Sequence, residues 1–165
     1  MNKQPLGKIP PAAIELLEFP RYSPDTIEGF RALEDLTGTV SDALDELGIE
    51  GVVPGCVLQP TLPSARIVGP ALTLRNIVQR DSSFKGARER VSKMAEIEAH
   101  NLAQPGDVLV IEGVAGISNM GGLSASIGHR EGEVGAIIDG GIRDVQQSRD
   151  LQFPVWSRGA SSVTG

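Results

Sequence analysis

The chain has 165 residues, 40% of them hydrophobic and 22% charged, the balance of one globular domain with a core of its own. A formal charge of −6 and no clustering of Lys and Arg argue against a nucleic-acid backbone as partner and leave room only for a small anion held locally. Cys56 is alone, no Cys/His spacing suits zinc, and there is neither a signal-like N-terminus nor a run of about 18 apolar residues, so a cytoplasmic protein with no membrane partner is expected.

Residues 1–23 are Pro-rich and aperiodic, an arm that wraps or dangles, ahead of a single domain over 24–165. In "SPDTIEGFRALEDL", Ser23 is placed as N-cap and Pro24 at the first helical position of a short helix. In "TVSDALDELG", Thr39 is the expected cap, Val40, Ala43, Leu44 and Leu47 share a helical face, and Gly48 is the left-handed stop. Ile67 to Val78 suits a long or broken strand in which Pro70 marks a bend or an edge. Residues 80–86 read as a polar loop, followed by a helix in "ARERVSKMAEIEAHNLA" with Val91, Met94, Ala95 and Leu102 on one face.

The apolar runs at 107–113, 135–140 and 153–159 read as strands, separated by the helical lengths "GGLSASIGHREG" and "DVQQSRDLQ". Strand, helix, strand, helix, strand is a parallel βαβαβ core, so the fold class is α/β, with a further β-rich segment before it. Ligands of such sheets sit where strands end and helices begin. Two features fall there: the glycine pair Gly121 and Gly122, and the adjacent charges Arg143 and Asp144 in "IIDGGIRD".

A helix start that follows two glycines lets an anion approach unpaired backbone N–H groups from Gly122 into Leu123. A 2-keto acid carboxylate suits that end, with Arg143 gripping it and Asp144 offering a hard oxygen to Mg²⁺ or Mn²⁺. Such an ion would stabilise an enolate, shared by retro-aldol cleavage and 2-keto acid decarboxylation. Taken singly, the same residues have plainer uses: a tight turn, a helix-start acid, a surface arginine. Asp139 reads as a brace of the turn through neighbouring backbone. His100 and His129 read as solvent-facing helix residues, Cys56 as a small buried filler, and Trp156 as core or, in an oligomer, interface. The glycines of "EGVAGISNMGG" depart from the G-x-G-x-x-G spacing of dinucleotide sites.

Together "PGDVLVIEG", "GGLSASIGHREGEVGAIIDGGIRDV" and "FPVWSRG", with "VSDALDELG" and "GPALTLRNI", resemble the family of regulator of ribonuclease activity A-like proteins and 4-hydroxy-4-methyl-2-oxoglutarate aldolases, over about residues 36–165. Its most specific element is a glycine, twenty intervening residues, then Arg-Asp, matched by Gly122 and Arg143-Asp144. The resemblance implies a three-layer α/β swivelling-domain fold and a trimer or pair of trimers with sites between subunits. It also implies a class II, metal-dependent lyase that cleaves 4-hydroxy-2-keto diacids and decarboxylates oxaloacetate. On that pattern Arg143 binds substrate, Asp144 ligates the metal, and Gly121, Gly122 and Leu123 cradle the carboxylate. The alternatives it carries are a non-catalytic interaction protein regulating a ribonuclease, a branch that lacks the aspartate of the pair, and a family member acting on a different, sugar-acid substrate. Two positions depart from the aldolase pattern: Gly122 and Gln147 stand where acids are usual. The family also continues beyond "SSVTG", so a domain shortened at its C-terminus is expected.

Overall fold

The computed structural model describes residues 3–15, 21–78, 85, 88 and 95–164. The expected polar loop at 80–86 lies outside them apart from Lys85, as do Val91 and Met94 of the helix that follows.

Local signals at the start of the domain act largely as expected. Helix α1 spans Pro24–Arg31, and the Ser23 side chain accepts the Thr26 N–H at 3.2 Å. Helix α2 spans Leu36–Glu46 and begins earlier than Thr39: Asp35 is its cap, accepting the Gly38 N–H at 3.3 Å. The Thr39 N–H is already spent on the Asp35 carbonyl, so Thr39 lies inside the first turn. Gly48 then takes φ +67° and stops the helix, with Ile49 N–H bonded back to Leu44 O at 2.9 Å.

A five-stranded sheet organises the rest. Strands β1 (Gln59–Pro60), β2 (Ala71–Arg75), β3 (Val108–Glu112), β4 (Gly135–Ile142) and β5 (Val155–Ala160) lie in the order β1-β5-β4-β3-β2. All neighbours are parallel except β1, which runs antiparallel to β5. The parallel βαβαβ core is therefore present, and the β-rich segment supplies the two edge strands. Pro70 precedes the short edge strand β2, where its missing N–H costs no ladder bond, and its carbonyl accepts the Val108 N–H.

Helices α3 (Ala95–Leu102), α4 (Gly122–Glu131) and α5 (Val145–Asp150) cover one sheet face. Leu109, Ile111, Ala136, Ile138 and Val155 point into that layer and pack with Met120, Ala125 and Phe153. Each large side chain buried there contributes about 1.5–3 kcal/mol. The opposite face carries Val110, Ile137 and Trp156 side by side in register, each half-buried, so Trp156 is not in the core.

Helix α3 departs from its expected apolar face. Ala95 and Leu102 are half-buried, whereas Glu96, Glu98 and His100 are buried. The N-terminal arm accounts for one of them: Leu6 and Lys8 donate their backbone N–H groups to the Glu98 carboxylate at 2.6 and 3.0 Å. Lys3 adds bonds to Ala103 O and Glu131, and Arg21 pairs with the buried Asp107. The described part of the arm therefore lies against the domain, and its donors satisfy the carboxylates of Glu98 and Asp107.

Burial raises the pKa of Glu96 above its ordinary 4.5, and a backbone hydrogen bond and the nearby His100 pull it partly back. The folded state holds this proton more tightly than the unfolded chain. Its stabilising contribution is therefore complete below the unfolded value and is lost as pH rises through the folded one. Glu96→Gln is expected to raise Tm at pH 7 more than at pH 4, by roughly 2–4 °C for each kcal/mol relieved. Melting curves of the two proteins across that range check it; equal shifts at both pH values would contradict the assignment.

Candidate functional site

The strand–turn–helix units that carry the two sequence features meet at the carboxyl end of β4. Three steps along β4, from Ile138 to Gly141, match two along β5, from Ser157 to Gly159. This one-residue bulge bends the strand just before Arg143 and Asp144. The turn is stitched to the preceding loop by Asn119 N–H on Gly141 O at 2.8 Å and Arg143 N–H on Met120 O at 3.0 Å. Asn119, buried, holds that loop from within by bonds to the N–H and carbonyl of Val114.

Asp144 adopts φ +56°, ψ +38°, a left-handed conformation that aspartate tolerates better than most residues. It precedes α5 but makes no side-chain bond to it. Its Oδ2 instead accepts the Gly122 N–H at 3.0 Å. Gly121, the N-cap position of α4, has no side chain to cap that helix, so Asp144 supplies the acceptor from across the site. The Arg143 Nε lies 3.6 Å from the same oxygen, and one of its terminal nitrogens donates to Thr164 Oγ1 at 2.9 Å.

The expected site residues are thus together. Gly121 faces both charged groups: a Cβ there would lie 3.1 Å from Asp144 Oδ2 and 3.2 Å from Arg143 Nε. Gly121, Ile142, Arg143, Asp144 and Ser148 line a depression of about 10 Å³, room for one water-sized molecule. Arg143 and Asp144 remain about half exposed, at 44% and 50% of their side chains. Leu123 is exposed beside them, and its N–H belongs to the first helical turn, which has no intrahelical acceptor.

Among the described residues no three His, Cys, Asp or Glu side chains group as metal ligands. Asp144 offers one hard carboxylate, half exposed, with Oδ2 committed to Gly122. That donor set fits a Mg²⁺ or Mn²⁺ ion, which keeps several waters and takes one or two protein carboxylates together with substrate oxygens. It does not fit a closed tetrahedral zinc centre.

Three other readings change. The Asp139 side chain pairs with Arg158 on β5 and not with its own turn, because the two strand ends lie side by side. Cys56 is exposed on the loop before β1 and fills no part of the core. His100 is fully buried: Nδ1 lies 2.7 Å from Glu133 Oε1 and Nε2 lies 2.7 Å from Ser124 Oγ. Serine, histidine and glutamate in a row have the connectivity of a nucleophile with its base, but all three are buried and no substrate reaches them. They form a structural network that pins the first turn of α4 to α3. No local pattern announces it, since the partners are 24 and 33 residues from His100. His129 is exposed in the last turn of α4, where a cation suits the helix end.

No helix among the described residues is long and apolar enough to cross a membrane. A family model described as RraA-like: Aldolase/RraA matches residues 37–165. A protein of Halalkalibacterium halodurans, provisionally named 4-hydroxy-4-methyl-2-oxoglutarate aldolase, is 31% identical over 147 residues, covering 86% of this chain and 61% of that protein. The crystal structure of Streptomyces coelicolor RraAS2, described as an unusual member of the RNase ES inhibitor RraA protein family, superposes with a TM-score of 0.62 at 25% identity, over 90% of this chain and 69% of that one. An uncharacterized Pseudomonas syringae protein shares the fold, with a TM-score of 0.66 at 24% identity over 88% of this chain and 63% of its own. The chain spans about three fifths of the length of the first of these relatives. Because the family model matches residues 37–165, most of this chain, the chain belongs to the RraA-like family.

Proposed function

We propose that the protein is a divalent-metal-dependent carbon–carbon lyase acting on a small 2-keto acid. The observation that carries this reading is the convergence, at one strand end, of the Asp144 carboxylate, the Arg143 guanidinium and the first turn of α4. Arg143 binds and polarises a substrate oxygen with its fork of donors. Gly121, having no Cβ, lets the substrate carboxylate approach the helix end, where the Leu123 N–H and the helix dipole favour negative charge. Asp144 would hold Mg²⁺ or Mn²⁺, and such an ion, when bound, supplies Lewis-acid stabilisation of charge on the keto oxygen.

The half-exposed state of Arg143 and Asp144 supports a site finished by a neighbouring subunit, in a homotrimer or hexamer. A cytoplasmic setting goes with this chemistry and with the exposed free thiol of Cys56. The likeness to a member of the RNase ES inhibitor family supports a second reading, a non-catalytic partner of a ribonuclease. The half-exposed Asp144 carboxylate beside Arg143, placed to meet an ion, favours the lyase.

Purified protein with Mg²⁺ should release pyruvate from oxaloacetate or a 4-hydroxy-2-keto diacid faster than Mg²⁺ alone, and sedimentation should find an oligomer. Absence of turnover across a 2-keto acid panel, with tight capture of a ribonuclease, would replace the lyase by the second reading.

A further inference from the structure

Gly122 and Gln147 are packed as one unit. Gly122 is buried at the start of α4, and a Cβ built there would overlap Gln147 Oε1 and lie 2.5 Å from its Cδ. The side chain of Gln147, in the first turn of α5, therefore occupies the seat that any residue other than glycine at 122 would need. Its Nε2 donates to Ser126 Oγ at 3.0 Å, and the Ser126 hydroxyl donates to Gly122 O at 2.9 Å. Because the hydroxyl proton is spent on that carbonyl, Ser126 can only accept from Gln147. The amide is thereby oriented with its NH₂ on Ser126 and its oxygen over Gly122.

The consequence is chemical. Beside Asp144, the mouth of the site presents a carboxamide, which neither takes nor gives a proton near neutral pH. Asp144 itself has one oxygen committed to Gly122 and, in the reading above, holds the ion. Neither Gln147 nor Asp144 is therefore free to act as general base.

Resting on the lyase reading, we propose that Gln147, seated on Gly122, is a specificity-determining residue that biases the site toward cleavage needing no proton taken from the substrate. Decarboxylation of a 2-keto diacid meets that condition. The bond between C3 and the departing carboxylate breaks, carbon dioxide leaves, and the electron pair forms the enolate of pyruvate, whose oxygen faces Arg143. Water then returns one proton to C3. Retro-aldol cleavage of a 4-hydroxy-2-keto diacid reaches the same enolate, but only after the C4 hydroxyl surrenders its proton to a base, a role that the Gln147 amide cannot fill.

The test uses the full chain with Mg²⁺, comparing pyruvate release from oxaloacetate and from a 4-hydroxy-2-keto diacid above the Mg²⁺-only rates. The expected kcat/KM ratio favours oxaloacetate by about 100-fold or more, within the range of general-base effects. Gln147→Glu installs a titratable oxygen at the seat and should move the ratio toward the hydroxy diacid by about tenfold, with a rate limb that rises as the new carboxylate ionises. Calorimetry with oxalate and Mg²⁺ gives a readout free of turnover. Gln147→Glu should weaken oxalate by about tenfold through like-charge repulsion. Gly122→Ala, whose methyl takes the seat, and Gln147→Ala should change oxalate affinity by the same factor, and together by no more than either alone. Comparable wild-type rates on the two substrates, or a Gln147→Glu protein with unaltered ratio and oxalate affinity, would overturn the proposal and leave the lyase reading standing. No turnover of either substrate and no oxalate binding would overturn both.

Discussion

Asp144→Asn is expected to lower pyruvate release by about 100-fold or more while the protein stays folded. Asparagine is the informative replacement because position 144 has φ +56°, ψ +38°. Asparagine visits that region readily, whereas alanine would add about 1–2 kcal/mol of backbone strain and confound the result. The asparagine carbonyl can still accept the Gly122 N–H now held by Asp144 Oδ2, so the cap of α4 survives. What disappears is the negative charge that would hold a divalent cation. A hundredfold loss corresponds to about 2.7 kcal/mol of transition-state stabilisation, the size expected when one preorganised electrostatic contact is removed. Initial rates at saturating Mg²⁺, alongside circular dichroism and melting curves, check the prediction. An unchanged rate in the folded variant would remove Asp144 from the mechanism and leave it only its structural place as the acceptor at the start of α4.

His100→Ala carries the largest expected loss of stability, on the order of 3–5 kcal/mol, whereas His129→Ala should lie within about 0.5 kcal/mol of the parent. The ring of His100 is fully buried and is bonded at both nitrogens, to Glu133 and to Ser124. Removing it leaves a carboxyl group and a hydroxyl without partners in a space water does not reach. Glu133 already has one oxygen, Oε2, buried without a partner among the described residues, so the network has no slack to absorb the loss. His129, by contrast, is exposed and contributes only a weak interaction with a helix end. Urea titration of the three proteins separates the cases through their midpoints. Equal midpoints for His100→Ala and the parent would mean that the buried network is not a determinant of stability.

The elements whose instructions are local were legible in the sequence. Ser23 and Pro24 start a helix, Gly48 ends one, and the three apolar runs after residue 106 form parallel strands with helices between them. The same logic located Gly121, Gly122, Arg143 and Asp144, because in a parallel sheet every strand-end turn opens on the same edge, so residues twenty apart come together. Where two local signals competed, the nearer capping acid prevailed, as Asp35 did over Thr39.

Only the tertiary structure decided what each polar side chain meets. The carboxylate of Glu98 is satisfied by backbone some ninety residues earlier in the chain, His100 is enclosed between Ser124 of α4 and Glu133 in the turn that leads to β4, and Asp139 finds Arg158 through strand order. The seat of Gln147 over Gly122 depends on how closely two helices approach. Caps, turns and periodicity follow from a few neighbouring residues and their backbone torsions, so a sequence displays them. The partner of a buried charge is set by where the sheet and the arm carry distant residues, and no short stretch of sequence records that distance.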